Sequence, residues 1–151
     1  MFNLFKKRQG TFHKHQYKNL SIDLPFHWEY ELEEGDLQSC YDPKSQSTLR
    51  LQILKTIPPH QSEDQMIEDL TNNQPYHTTL KGYLLVNPTY FDTTESGTNI
   101  TLVTWRLINH KPAQKLIAVL TYTVLSSEIK SVTEKETIST IESSLQNADL
   151  L

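Results

Sequence analysis

Residues 99–108 and 115–125 read as two long strands joined by a tight connection through Asn109, His110, Lys111 and Pro112. In the second of them Leu116, Ala118, Leu120, Tyr122 and Val124 alternate with Ile117, Val119 and Leu125, so both faces are apolar, with Thr121 and Thr123 between. A strand covered on one side alternates apolar with polar, whereas one covered on both sides reads as a near-continuous apolar run. This places residues 115–125 at the centre of a sheet with something packed on each face. A chain of 151 residues is long enough to build such a core as one domain.

The preceding segments read as strands in antiparallel order. Residues 17–24 alternate, with Leu20, Ile22 and Leu24 on one face, until Pro25 interrupts the ladder because it has no N–H to donate. Residues 27–32 set Trp28, Tyr30 and Leu32 opposite Glu29, Glu31 and Glu33; Glu34-Gly35-Asp36 turns the chain into a strand over 37–41. Leu49, Leu51, Ile53 and Lys55 mark one face of a fourth strand, closed by Pro58-Pro59.

Two helices are expected. Ser62-Glu63-Asp64-Gln65 has the form of a capping box, Met66, Ile67 and Leu70 supply an apolar stripe, and Pro75 is the expected stop. Thr133-Glu134-Lys135-Glu136 offers a second box, followed by Ile138, Ile141, Leu145 and Ala148 at helical spacing. Between the helices, residues 80–86 and 89–92 read as extended segments separated by Asn87-Pro88, and Ser96-Gly97 closes a hairpin. Hairpin-linked strands are antiparallel neighbours. With a helix available for each face, the expected fold class is α+β, an α/β/α sandwich on a mainly antiparallel sheet. The expected division is a basic N-terminal segment over 1–16 and a single α+β domain over 17–151.

Charge and composition narrow the function. The first 18 residues carry five bases (Lys6, Lys7, Arg8, Lys14, Lys18) and no acid; the remainder carries nine bases and 18 acids, a balance of −9. Such an acidic body repels a phosphate backbone, so nucleic acid is not an expected partner. The basic head, with Phe2, Phe5, Lys6, Lys7 and Arg8, suits weak contact with an anionic membrane surface or an acidic partner. Its charges follow its apolar residues, the wrong order for a secretory signal, and no run approaches the ~20 apolar residues of a membrane-spanning helix. The expected location is the cytoplasm. A single cysteine, Cys40, leaves no intramolecular disulfide and no zinc or redox spacing.

Candidate chemistry is sparse. His13 and His15 share a strand face as a metal pair would, but no third ligand lies close in sequence, and no metal or cofactor is expected. Glu29, Glu31, Glu33, Glu34 and Asp36 read as a solvated face, or as an acidic docking strip. Cys40 has no glycine elbow and reads as a small buried hydrophobe. With four glycines in all, a phosphate-cradling loop is not expected, and no catalytic residues are assigned. Tyr76, Tyr83, Tyr90 and Phe91 fall together in the least regular part of the chain and are the expected partner-binding aromatics. A pocket near residues 76–91 for a small molecule or a hydrolytic reaction is the alternative. An open sheet edge would also allow a homodimer.

The run Leu20-Ser21-Ile22-Asp23-Leu24-Pro25, Trp28 behind it, and the strand that ends at Tyr41-Asp42 resemble the opening of PsbP/Mog-like proteins. The ending is similar as well: two long strands, then a helix with Ile138, Ile141, Ser143, Ser144 and Leu145. The resemblance implies a bacterial branch of a family that includes a Ran-binding import factor, photosystem accessory proteins, envelope lipoproteins and effector chaperones. It implies a non-catalytic adaptor or chaperone-like role toward another protein. The chain lacks the acidic, arginine-bearing stretch that would suggest Ran binding and the cysteine of a lipoprotein signal, so no functional residue is carried over.

Overall fold

A computed structural model describes residues 12–151. The basic head, with Phe2, Phe5, Lys6, Lys7 and Arg8, lies outside the described residues. The first strands are β1 (Phe12–Tyr17), β2 (Leu20–Pro25), β3 (Glu29–Glu33), β4 (Leu37–Tyr41) and β5 (Thr48–Thr56). Helix α1 (Glu63–Thr71) follows, then β6 (Tyr76–Thr78), β7 (Leu84–Glu95), β8 (Thr98–Asn109) and β9 (Lys115–Leu125). A 3-10 turn leads into α2 (Val132–Gln146), and β10 (Asp149–Leu150) ends the fold.

Seven strands form one antiparallel sheet in the order β3-β4-β5-β9-β8-β7-β6, and β1-β2-β10 form a second. The fold is α+β, with a mostly antiparallel sheet and two α-helices among the described residues. As the apolar run requires, β9 is the middle strand of seven. On its front face Leu116, Ala118, Leu120, Tyr122 and Val124 are buried together with Ile138, Ile141 and Leu145 of α2. Leu20, Ile22 and Leu24 of β2 and Leu150 of β10 join the same core, so the front cover is a helix and a small sheet side by side. On the back, Ile117 packs with Ile108, Leu84, Val86 and Leu70 of α1, and Met66 and Ile67 lean on this smaller cluster.

Several expectations shift. The domain begins before residue 17: β1 occupies residues placed in the basic segment, because its inward positions are His13, His15 and Tyr17 and carry no aliphatic signal. Pro88 does not divide the strand. A bulge between Val86 and Thr89 absorbs one extra residue, and β7 runs on through it. Helix α1 is capped as expected, Gln65 N donating to Ser62 Oγ at 3.2 Å. It ends earlier than Pro75, at Asn72 and Asn73, both in the left-handed region; Asn73 N donates to Glu68 O at 2.8 Å. Helix α2 is capped by Ser131, not Thr133, with Glu134 N donating to Ser131 Oγ.

Candidate functional site

The register places successive back-face residues of β9 in rows across the sheet. Ile117 lies beside Ile108 and Leu54, Val119 beside Arg106 and Gln52, Thr121 beside Thr104 and Arg50, and Thr123 beside Leu102 and Thr48. Nine residues of α1 make a rod of only about 14 Å. It covers the first of these rows, and among the described residues nothing covers the last two. The uncovered end is a trough of about 450 Å³ whose walls include Leu37, Arg50, Gln52, Leu102, Thr121 and Thr123. Threonine suits such a place, being β-branched for the strand and polar for water.

Charge at the trough is arranged unevenly. Arg50 Nε donates to Glu33 Oε2 at 2.9 Å, and this bond is the main reason the Glu33 carboxyl titrates below its usual range. Arg106 stands at the border with the covered end, half-buried. Among the described residues its Nε has no hydrogen-bond partner, and burial lowers its pKa. A half-buried guanidinium with an N–H left free in this way is suited to receive a carboxylate.

A second opening adjoins the trough. β6 pairs with Leu84, Leu85 and Val86 and goes no further, so among the described residues the strand β7 is paired over residues 89–95 with β8 on one side only. Tyr90 projects to the front and Phe91 to the back, where Phe91 lies opposite Leu102 and is 62% exposed. In front, Tyr90 and Asp92 face Ile138 and Glu142 of α2 across a groove of about 510 Å³. Desolvation there, and then the Glu142 charge, raise the Tyr90 pKa.

The four aromatics expected to share a groove are thus dispersed. Tyr83 belongs to the front core, at 5% exposure. Tyr76 sits on the short strand β6 and borders a shallow recess beside α1. Only Tyr90 and Phe91 adjoin one another, and they point to opposite faces because successive strand residues do.

The other candidates serve the fold. His15 stacks on Tyr30 with ring centroids 3.9 Å apart, its Nε2 meeting Gln38 Oε1, and His13 Nε2 meets the Tyr30 hydroxyl at 2.8 Å. These contacts clasp β1 to the β3–β4 hairpin. Burial lowers the His15 pKa and pushes the Tyr30 phenol up to about 12. Among the described residues no group of three or more ligating side chains gathers around a metal-sized site. Cys40 is fully buried and its thiol is pushed up to about 12, which leaves it a poor nucleophile. Glu31 accepts a hydrogen bond from the Tyr41 hydroxyl at 2.8 Å.

Sequence reading missed one buried polar group. The Glu134 carboxylate accepts from Ser47 Oγ at 3.0 Å and from the Tyr122 hydroxyl at 2.7 Å, tying the start of α2 to β9 and to the loop before β5. The available signal was a Ser-x-x-Glu spacing at Ser131 and Glu134, two residues ahead of the box chosen.

No family model matches the chain, and none of the curated proteins does. Among solved structures, it is similar to a protein of Bacteroides thetaiotaomicron VPI-5482, with 16% identity and a TM-score of 0.56 over 87% of this chain and 47% of that one. The chain therefore spans about half the length of that relative. It is also similar to LpqN of Mycobacterium tuberculosis, described as involved in cell envelope biogenesis, with 14% identity and a TM-score of 0.57 over 88% of this chain and 87% of that one. At such identities the likeness extends to the fold alone. None of the described helices is long and apolar enough to cross a membrane.

Proposed function

We propose that this chain is a non-catalytic protein-binding module, an adaptor or chaperone-like protein built as an α/β/α sandwich of PsbP/Mog-like type, working in the cytoplasm. The observation that carries the reading is the end of the back face left bare among the described residues: a trough floored by Leu102, Thr121 and Thr123, with an Arg106 Nε that has no hydrogen-bond partner there at its border. The matching partner surface is an amphipathic element about as long as α1. It would lay apolar side chains over Leu102 and Phe91 and bring a carboxylate to Arg106. In this reading the partner takes the place beside α1 that a second back-face helix would fill.

The test is affinity capture from the native organism with the full-length protein, repeated with Leu102→Lys and Thr121→Arg. Both positions are half-buried on the trough floor, and circular dichroism checks that each variant folds. A stoichiometric protein held by the wild type and lost from both variants supports the proposal. A partner held equally by all three moves the docking surface elsewhere. Recovery of a small molecule in place of a protein overturns the adaptor reading in favour of ligand binding.

A further inference from the structure

The large sheet ends in strands that are defended unequally. At one margin β3 carries Glu29, Glu31 and Glu33, whose charges discourage another strand from adding, and β1 is clasped against its front through Tyr30. At the other margin β6 guards only the first part of β7. Residues 89–95, Thr-Tyr-Phe-Asp-Thr-Thr-Glu, form an open edge with high strand propensity and neither lysine nor proline to blunt it.

We propose that this edge pairs antiparallel with the same residues of a second copy, about a two-fold axis through Phe91. A two-fold perpendicular to the sheet keeps front on front, so residues that meet must point to the same face, and the axis must pass through a residue. Of the positions that leave at least three residues of the edge paired, the one at Thr94 pairs only residues 93–95 at the very end of the strand, which leaves four to compare. An axis through Tyr90 limits the ladder to residues 89–91, because Pro88, which has no N–H, then falls opposite Asp92. An axis through Asp92 sets that carboxylate against its own copy. An axis through Thr93 sets Phe91 against Glu95. The axis through Phe91 gives the longest run of compatible neighbours, residues 89–93, before Pro88 is met opposite Thr94: Phe91 with Phe91, Thr89 with Thr93, and the Tyr90 hydroxyl beside the Asp92 carboxylate. The bulge at Asn87-Pro88 then lies outside the paired stretch. In such a dimer the two back-face troughs meet along a seam marked by the paired phenylalanines.

The inference shares Phe91 with the adaptor reading but does not depend on it, and its test, made on the purified protein alone, separates the two. Sedimentation velocity of the full-length protein over a range of concentrations is expected to show a reversible dimer. Phe91→Lys places like charges across the axis and is expected to return the protein to monomer with an unchanged circular dichroism spectrum. Leu32→Lys, on the β3 margin and 77% exposed, leaves the dimer intact, as does Thr121→Arg, two strands in from β7. Mild oxidation of Phe91→Cys gives a reducible covalent dimer in high yield, while Thr93→Cys, opposite Thr89 of the other copy, links poorly. The buried Cys40 does not compete. A protein that stays monomeric at every concentration overturns the proposal. So does a dimer that survives Phe91→Lys, or a Thr93→Cys variant that links as readily as Phe91→Cys.

Discussion

The two faces of β9 are made by one strand and live under different regimes. In front, all five residues from Leu116 to Val124 are buried, with Ala118 and Leu120 fully out of water. Behind, Ile117 is buried, but Val119, Thr121 and Thr123 remain half-buried. The difference comes from the covers. Fifteen residues of α2 and the β1-β2-β10 sheet span the front, whereas nine residues of α1 reach one end of the back. Apolar area is worth burying only where something arrives to bury it. The change from Ile117 and Val119 to Thr121 and Thr123 marks where the cover stops.

Mutations along β9 test this contrast directly. Leu120→Ala, in the front core, is expected to cost about 2–5 kcal/mol, read as a lowered urea midpoint, because the surrounding helix and sheet cannot collapse into the space. Ile117→Ala should fall at the low end of the same range, about 2 kcal/mol, since a short helix over a small cluster yields more readily. Equal losses at the two positions would break the comparison.

The polar tie beneath α2 gives the next effect. Tyr122→Phe removes one of the two hydroxyls that satisfy the buried Glu134 carboxylate, and is expected to cost about 1–3 kcal/mol. Tyr122→Phe combined with Glu134→Gln should recover part of that loss, because no charge is then left short of a donor. Failure of the double variant to improve on the single one would show that the tie contributes through packing and not through hydrogen bonding.

The front cover also holds a pH-sensitive clasp. Burial depresses the His15 pKa below its ordinary 6.5, against a smaller opposing effect of Gln38, with His13 and Tyr30 as its other neighbours. The unfolded chain therefore binds that proton more readily, and stability rises with pH across the window. The clasp contributes fully above pH 6.5 and loses its contribution as pH falls from there toward the lower folded-state value. His15→Gln should flatten this slope in urea midpoints taken from pH 7 downward. Part of the slope persists because burial also lowers the His110 pKa. An unchanged slope in the variant would move the effect to His110. The smallest change is expected on the open floor, where Thr121→Val should alter stability by no more than about 0.5 kcal/mol. A clear gain there would mean that the trough is already drier than its exposure implies.

The legibility of the fold followed where its side chains carry their own signal. The hairpin β8–β9, the turns at Gly35 and Ser96-Gly97, the α1 cap at Ser62 and the stripe Ile138, Ile141, Leu145 were readable because each depends on local periodicity or on a backbone angle few residues accept. β1 was not readable: its inward residues are histidines and a tyrosine, which face the core only because Tyr30 and Gln38 are there to meet them. The choice between two equally good boxes, Ser131 with Glu134 and Thr133 with Glu136, was made by Ser47 and Tyr122, 87 and 12 residues from Glu134 along the chain. At the candidate site the same division holds. Tyr90 and Phe91 were identifiable as exposed aromatics, while Arg106 and the trough needed the register of three neighbouring strands.

By itself the sequence determined that one strand lies at the centre of an antiparallel sheet, that two helices accompany it, and that both of its faces carry apolar residues. Those properties follow from alternation, spacing and turn chemistry, which act between residues close along the chain. The tertiary structure alone decided how far each helix reaches, which end of the back face stays bare and which stretch of β7 has no neighbour. Coverage depends on the meeting of distant segments, and the change from Val119 to Thr121 along β9 becomes legible as the limit of the cover only once α1 is in place.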